Sequence, residues 1–255
     1  METYKVLSPV FMGKLMTIMQ GVHPNDSNIL ADSGFNLLAV FDLDTLPLTI
    51  RQSIKAIAPE ADYRQLLLFG HGGRRMWQAL AASAGITGEN PLDDFSVDVV
   101  ARYFSDENPA NRYRLIYPQH PGMLPLQQLG RLAGWHHDSP FRIGVNDRWG
   151  SWFAYRAVAL ADTAFVPSLP MVDASPCEAC VSKPCISACP VVSGNEILLD
   201  NCLDERLGDG SSCARSCLAR MACPVKTEHR YGPEQMAYHY DCSLVTIRRY
   251  RTHEA

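Results

Sequence analysis

All nine cysteines of this chain fall between Cys177 and Cys242, and the run CEACVSKPCISACP at 177–190 alone holds four of them. Sulfur at this density ties the backbone around whatever it binds, so it constrains the fold more than any other feature. The compartment decides what that is. The N-terminus METYKVLSPVFMGKLMTIMQ has no basic start before an unbroken apolar stretch, and Lys14 interrupts its apolar part, which predicts no signal peptide. No window approaches the roughly 18 apolar residues of a membrane span. A cytoplasmic, reducing setting with no membrane partner is therefore expected. There, clustered cysteines bind metal or do redox work more often than they pair as disulfides.

The spacing narrows the metal. Cys177, Cys180, Cys185 and Cys189-Pro190 follow C-x2-C-x4-C-x3-C-P, a bacterial ferredoxin run with a longer middle gap. Three thiolates on one tight loop can cap three corners of a cuboidal cluster, while the cysteine before proline reaches a neighbouring one. A looser set follows, Cys202, Cys213, Cys217 and Cys223-Pro224, and it too ends in Cys-Pro. In two-cluster ferredoxins each cluster takes three cysteines of one run and the Cys-Pro of the other. That rule assigns Cys177, Cys180, Cys185 and Cys223 to one 4Fe–4S cluster, and Cys202, Cys213, Cys217 and Cys189 to a second. Cys242 is left over as an ordinary thiol. Zinc stays open as an alternative, although structural zinc commonly uses two C-x2-C pairs and only one is present. Arg215, Arg220 and Lys226 flank the second set, either offsetting cluster charge, docking a redox partner or forming a solvated surface.

More than 160 residues precede the clusters. Helix-like and strand-like segments alternate along them. GFNLLAVFDLDTLP, QLLLFG, RLIYP, FRIGV and GSWFAYRAVAL read as strands. PVFMGKLMTIM, TIRQSIKAIAP, HGGRRMWQALAASAG, PLDDFSVDVVARYF and LPLQQLGRLAG read as helices. This predicts an α/β or α+β layered domain. The proline-spaced stretch VPSLPMVDASP marks a boundary. Residues 1–165 form a cofactor- or substrate-binding module on this reading, and residues 166–255 an iron–sulfur domain.

Three further constellations are weaker. FGHGGRRMW sets glycines and Arg74 or Arg75 where a phosphate could sit, yet it lacks G-x-G-x-x-G spacing and reads better as a tight turn. His136-His137-Asp138 has metal-binding residue types, but adjacent histidines do not usually face one ion. Trp149, Trp152, Phe153 and Tyr155 read as core and pocket wall. A net charge of −4 argues against nucleic acid as a partner.

SPFRIGVNDRWGSWFAYRAVALADT, followed by the cysteine-rich segment, resembles the epoxyqueuosine reductase and reductive dehalogenase group. WGSWFAYRAVAL and YGPEQMAYHY also resemble segments of the cobalamin-processing chaperones, and CLARMACPV is similar to ferredoxin-like proteins of no assigned reaction. The likeness covers roughly residues 90–240. It implies a nitroreductase-like layered domain joined to a bacterial ferredoxin-like domain with two 4Fe–4S clusters. It further implies cobalamin as a cofactor, with Gly150, Ser151, Trp152 and Arg156 as cofactor-binding residues. The sequence departs from the reductases where their proposed acidic proton donor stands: here Gln119-His120-Pro121 offers only His120 as a weak catalytic candidate. The helical-repeat extension that helps those enzymes hold tRNA does not follow the clusters. Both departures count against tRNA modification. The expected function is a reductive, cobalamin-linked oxidoreductase fed by a reductase or flavodoxin-like partner. The alternatives are a non-enzymatic electron carrier or a cobalamin-reducing chaperone. Oligomeric state is not legible.

Overall fold

The computed structural model describes residues 27–59, 62–83, 86–120, 124–194 and 196–253. The helix expected at PVFMGKLMTIM lies outside them. Four strands, β1 (Leu37–Asp42), β2 (Gln65–Gly72), β3 (Tyr113–Tyr117) and β4 (Phe153–Ala161), form one sheet in the order β1-β2-β4-β3. Every pairing is antiparallel. Of the two classes that the alternation allowed, the layered α+β arrangement is the one observed.

The sheet is covered on both sides, which explains why β2 reads as an unbroken apolar run rather than an alternating one. On one face Leu66, Leu68, Val158 and Leu160 pack against Ile50, Ile54 and Ile57 of α2 (Leu48–Ile57) and Leu129 of α5 (Leu126–Leu132). On the other, Leu67, Phe69, Ala157 and Ala159 meet Met76 and Leu80 of α3 (Arg75–Ser83) and Leu92, Val99 and Val100 of α4 (Pro91–Arg102). The short α1 (Asn28–Asp32) adds Leu30 to the second face, its N-terminus capped by the Ser27 hydroxyl. The period of two along each strand sorts these side chains between the faces.

One irregularity positions a functional candidate. The β2–β4 register passes from Phe69↔Ala157 to Gly70↔Tyr155, leaving Arg156 without a partner opposite it. Such a bulge re-aims a side chain. Arg156 is turned toward α4, where its Nη1 lies 3.7 Å from Asp93 Oδ1.

FRIGV is not a strand. His137 and Val145 exchange backbone hydrogen bonds of 3.0 and 2.9 Å, and Arg142 takes a left-handed φ of 59°. The segment is thereby bent into a turn that delivers Phe141 and Ile143 to the core of the cysteine region. VPSLPMVDASP begins as a strap along β1: Ser168 N–H donates to Val40 O at 2.9 Å, and Val40 N–H to Ser168 Oγ at 3.0 Å.

Beyond the strap come α6 (Pro176–Ala179), α7 (Pro184–Ala188), the ribbon β5 (Val192–Ser193) with β6 (Glu196–Ile197), α8 (Leu199–Leu207), α9 (Leu218–Ala222) and the long α10 (Pro233–His253). Among the described residues no helix is long and apolar enough to cross a membrane.

Candidate metal centre

Most of the cysteines occupy helix ends and turns, whereas Cys202 lies within α8 and Cys242 within α10. Pro176 and Pro184 open α6 and α7, fixing the first helical dihedral before Cys177 and Cys185. Cys217 caps the N-terminus of α9, its Sγ accepting the Arg220 N–H at 3.4 Å, and Cys223 closes the same helix. Helices α7 and α9 are neighbours, so each Cys-Pro approaches the other set.

The electrostatics report that crossing. Burial pushes the Cys177 thiol up, and after it come Cys223, Cys185 and Cys180. Burial and then Cys223 and Cys180 raise Cys185. Burial likewise raises Cys202, followed by Cys217, with Cys189 and Cys213 adding to it and Arg206 opposing. Cys213 is raised by burial and by Cys217, Glu205 and Cys189, against a hydrogen bond from Leu218 N–H. Cys223 thus stands with the first run and Cys189 with the second. Buried neighbouring thiols that resist ionisation are poor isolated acids; a bound metal supplies the positive charge that deprotonates them.

Cys189, Cys202, Cys213 and Cys217 line one cavity of about 210 Å³, with Phe141, Ile143 and Ile197 among its apolar walls. Cys185 and Cys223 of the first set share an apolar core with Cys189, Cys202 and Cys217 of the second. Among the described residues no three His, Cys, Asp or Glu side chains lie close enough to hold a single metal ion. The thiols are set around a space. An all-thiol donor set in an apolar pocket suits an iron–sulfur cluster.

The arginines divide sharply. Arg215 is exposed and grips Asp241 through bonds of 2.9 and 2.7 Å. Arg220 is 6% exposed and is no surface residue. Its Nη2 donates to Ser151 O, its Nε lies 3.4 Å from Ser151 Oγ, and its guanidinium sits 4.4 Å from the Trp152 ring and 5.1 Å from that of Tyr231.

That side chain reaches a polar chamber between the sheet and α10. His71 of β2, Trp152, Tyr231, and His239 of α10 meet there. Trp152 Nε1, both amide atoms of Gln235, His239 Nε2 and Arg156 Nε are buried with no hydrogen-bond partner, while His71 is approached by the Gly73 backbone and Tyr231 by Arg220. The rings of His71 and His239 lie 5.9 and 5.4 Å from Tyr231. Burial, then the charge of Arg156, holds both histidines neutral, His239 down to about 3 and His71 well below its usual value. Sequence reasoning missed this chamber, because residues from 71 to 239 carry no common motif.

The other candidates have separate fates. Gly150, Ser151 and Trp152 are buried against the cysteine segment. Gly150 has φ 60°, and a Cβ there would run into the Val225 carbonyl. His120 lies in a partly exposed turn after β3. The amides of the glycine turn are already used: Gly72 N–H donates to Asn36 Oδ1 at 2.7 Å and Gly73 N–H to Trp152 O at 2.7 Å. The phosphate reading therefore falls. His136 is a buried core histidine, its Nδ1 3.0 Å from Tyr155 Oη, while Asp138 is held by Arg131 at 2.6 Å.

No family model matches the chain, and no curated protein matches it. Among solved structures, an epoxyqueuosine reductase from Bacillus subtilis is similar at a TM-score of 0.51 and 13% identity, over 88% of this chain and 68% of that one. A selenomethionine-labelled epoxyqueuosine reductase is similar at 0.53 and 13%, over 89% and 69%. A C. elegans B12-trafficking protein, CblC, aligns at 0.43 and 13%, over 90% and 92%. At these identities the likeness to the reductases is one of fold.

Proposed function

We propose that this chain is an iron–sulfur redox protein. One 4Fe–4S cluster would be held by Cys177, Cys180, Cys185 and Cys223, and the other by Cys202, Cys213, Cys217 and Cys189. The observation that carries this reading is the exchange of the two Cys-Pro thiols: Cys223 bears on Cys177 and Cys185, and Cys189 on Cys202 and Cys213. When bound, such clusters supply one-electron transfer at potentials tuned by their surroundings. The chain's own residues do the rest. Phe141, Ile143 and Ile197 keep water from the second cavity, and the Arg220 N–H steadies Cys217 Sγ. The Arg220 side chain ties the cysteine region to Ser151 and Trp152, so electrons from a reductase or flavodoxin-like partner have a short path toward the front domain.

Of the residues expected to hold cobalamin, Gly150 and Ser151 are closed off by the protein's own packing. Gly150 packs against the Val225 carbonyl and Ser151 against Arg220, whereas Trp152 Nε1 and Arg156 Nε are buried without a hydrogen-bond partner. The packing of Gly150 and Ser151 favours a second reading, an electron carrier whose front domain is a docking scaffold.

Protein purified without oxygen should contain about eight iron and eight sulfide per chain, with a brown absorbance that bleaches on dithionite. Zinc in place of iron, or no metal, overturns the proposal. Hydroxocobalamin titration separates the two readings: a spectral shift with tight uptake favours a cobalamin-linked reductase, and no uptake the carrier.

A further inference from the structure

Arg206 is a half-buried arginine of the cysteine region, and neither its position in α8 nor the spacing of the cysteines marks it. It lines the cavity shared by Cys189, Cys202, Cys213 and Cys217. Its guanidinium is held from several sides. Nε lies 3.4 Å from Cys213 O and Nη2 3.5 Å from Ala214 O, in the loop between two of those cysteines. Nη1 donates to Ser243 Oγ at 2.9 Å and Nη2 to Tyr240 O at 3.2 Å, both on α10. The Tyr240 ring lies 4.6 Å from its central carbon. Every one of these acceptors is neutral. Among the described residues no carboxylate forms an ion pair with Arg206, whereas Arg215, nearby in sequence, spends its charge on Asp241.

Arg142 and Glu205 also line the cavity. Glu205 accepts from Ser211 Oγ at 2.8 Å and Arg142 donates to Ile197 O at 3.0 Å. Two guanidinium charges therefore face one carboxylate around the second set of thiols. A positive charge fixed this way, in a pocket of low dielectric, is worth more than one in water. Adding one electron to a thiolate-bound cluster adds one negative charge, and a fixed neighbouring cation stabilises that state.

Resting on the two-cluster reading above, we propose that Arg206 is a positioning residue that raises the reduction potential of the cluster on Cys189, Cys202, Cys213 and Cys217, and not that of the other. Arg206 touches no reacting atom; it acts through the field at the cavity. Its unequal effect on the two clusters would make the second the electron sink of the pair.

The test is an EPR-monitored redox titration of the full, oxygen-free protein, with dithionite supplying the electrons. In Arg206→Gln one of the two midpoint potentials should fall and the other stay. Arg206→Lys, which keeps the charge, should recover most of the fall. Arg215→Gln, whose charge is already paired at the surface, should leave both unchanged. Equal shifts of both potentials in Arg206→Gln, or no shift with full iron content, overturn the proposal. If Arg206→Gln loses iron, Arg206→Lys decides: a retained potential supports the charge, and a potential that falls despite the charge leaves Arg206 as a mechanical brace and overturns it. A wild-type protein without iron and sulfide would instead defeat the two-cluster reading itself.

Discussion

The guanidinium of Arg220 lies 4.4 Å from the indole of Trp152, which is completely buried. Arg220 sits between Cys217 and Cys223, which the proposed function assigns to different clusters, while Trp152 leads into β4 of the sheet. This pair is the physical seam between the sulfur-rich region and the sheet. A buried cation held by a carbonyl, by hydroxyl groups and by two aromatic faces is fixed by shape as much as by charge.

Arg220→Met is therefore expected to cost about 2–4 kcal/mol, since it strands the Ser151 carbonyl and removes both cation–π contacts. Arg220→Lys should recover less than half, because an ammonium cannot stack as a planar fork does. Chemical denaturation of the three proteins checks this. Equal midpoints for wild type and Arg220→Lys would contradict it.

The crossing of the Cys-Pro thiols gives a paired expectation. Cys185→Ser should lower iron from about eight to about four per chain and leave one cluster's spectrum intact. Cys213→Ser should do the same to the other cluster. Cys223→Ser should then behave like Cys185→Ser, not like its sequence neighbour Cys217→Ser. Matching signals from Cys223→Ser and Cys217→Ser would show that the ligands do not cross.

The chamber histidines link stability to pH. An exposed histidine in the unfolded chain titrates at about 6.5, whereas in the folded chain His239 is lowered to about 3 by burial, Arg156 and Arg220. His71 is lowered in the same direction by burial, Arg156 and His239. Below about pH 6.5 the unfolded chain binds protons that the folded one refuses, so stability is full above that value and lost as pH falls toward 3. Thermal melts at about pH 7.5 and about pH 5.5 should show a drop in Tm that His239→Gln makes smaller. A variant as acid-sensitive as wild type would remove His239 from the account.

Gly150 offers a steric test. Its φ of 60° and the nearness of the Val225 carbonyl leave no room for a methyl group. Gly150→Ala should destabilise by about 1–3 kcal/mol. Gly210, also at positive φ but with nothing within 4 Å of a Cβ, should cost less on the same substitution. A larger loss at Gly210 would mean that backbone strain alone decides.

Several parts of this architecture are legible in short stretches of sequence, and for a local reason. Gln65–Gly70 shows as a strand because both its faces are buried, so its residues are apolar without interruption. Thr49–Ile57 shows as a helix because Ile50, Ile54 and Ile57 recur on one side. The proposed metal-binding character of the last third rests on thiols a few residues apart, where one backbone loop sets their separation. Other features depend on partners distant in the chain. FRIGV has the composition of a strand, but the His137–Val145 bonds bend it into a turn. Arg156 leaves the strand's alternation only because β2 and β4 slip by one residue beside Gly70. Arg220 and Arg215 look equivalent five residues apart; one meets Asp241 in solvent, and the other is driven inward by the α9 turn that closes on Cys223. His71, Tyr231 and His239 form a chamber only once α10 lies across the sheet. Spacing along the backbone determined what this protein can bind, because ligand geometry over a few bonds is local. Which charges are buried, and what faces them, was decided by packing, because burial is a property of the whole assembled surface.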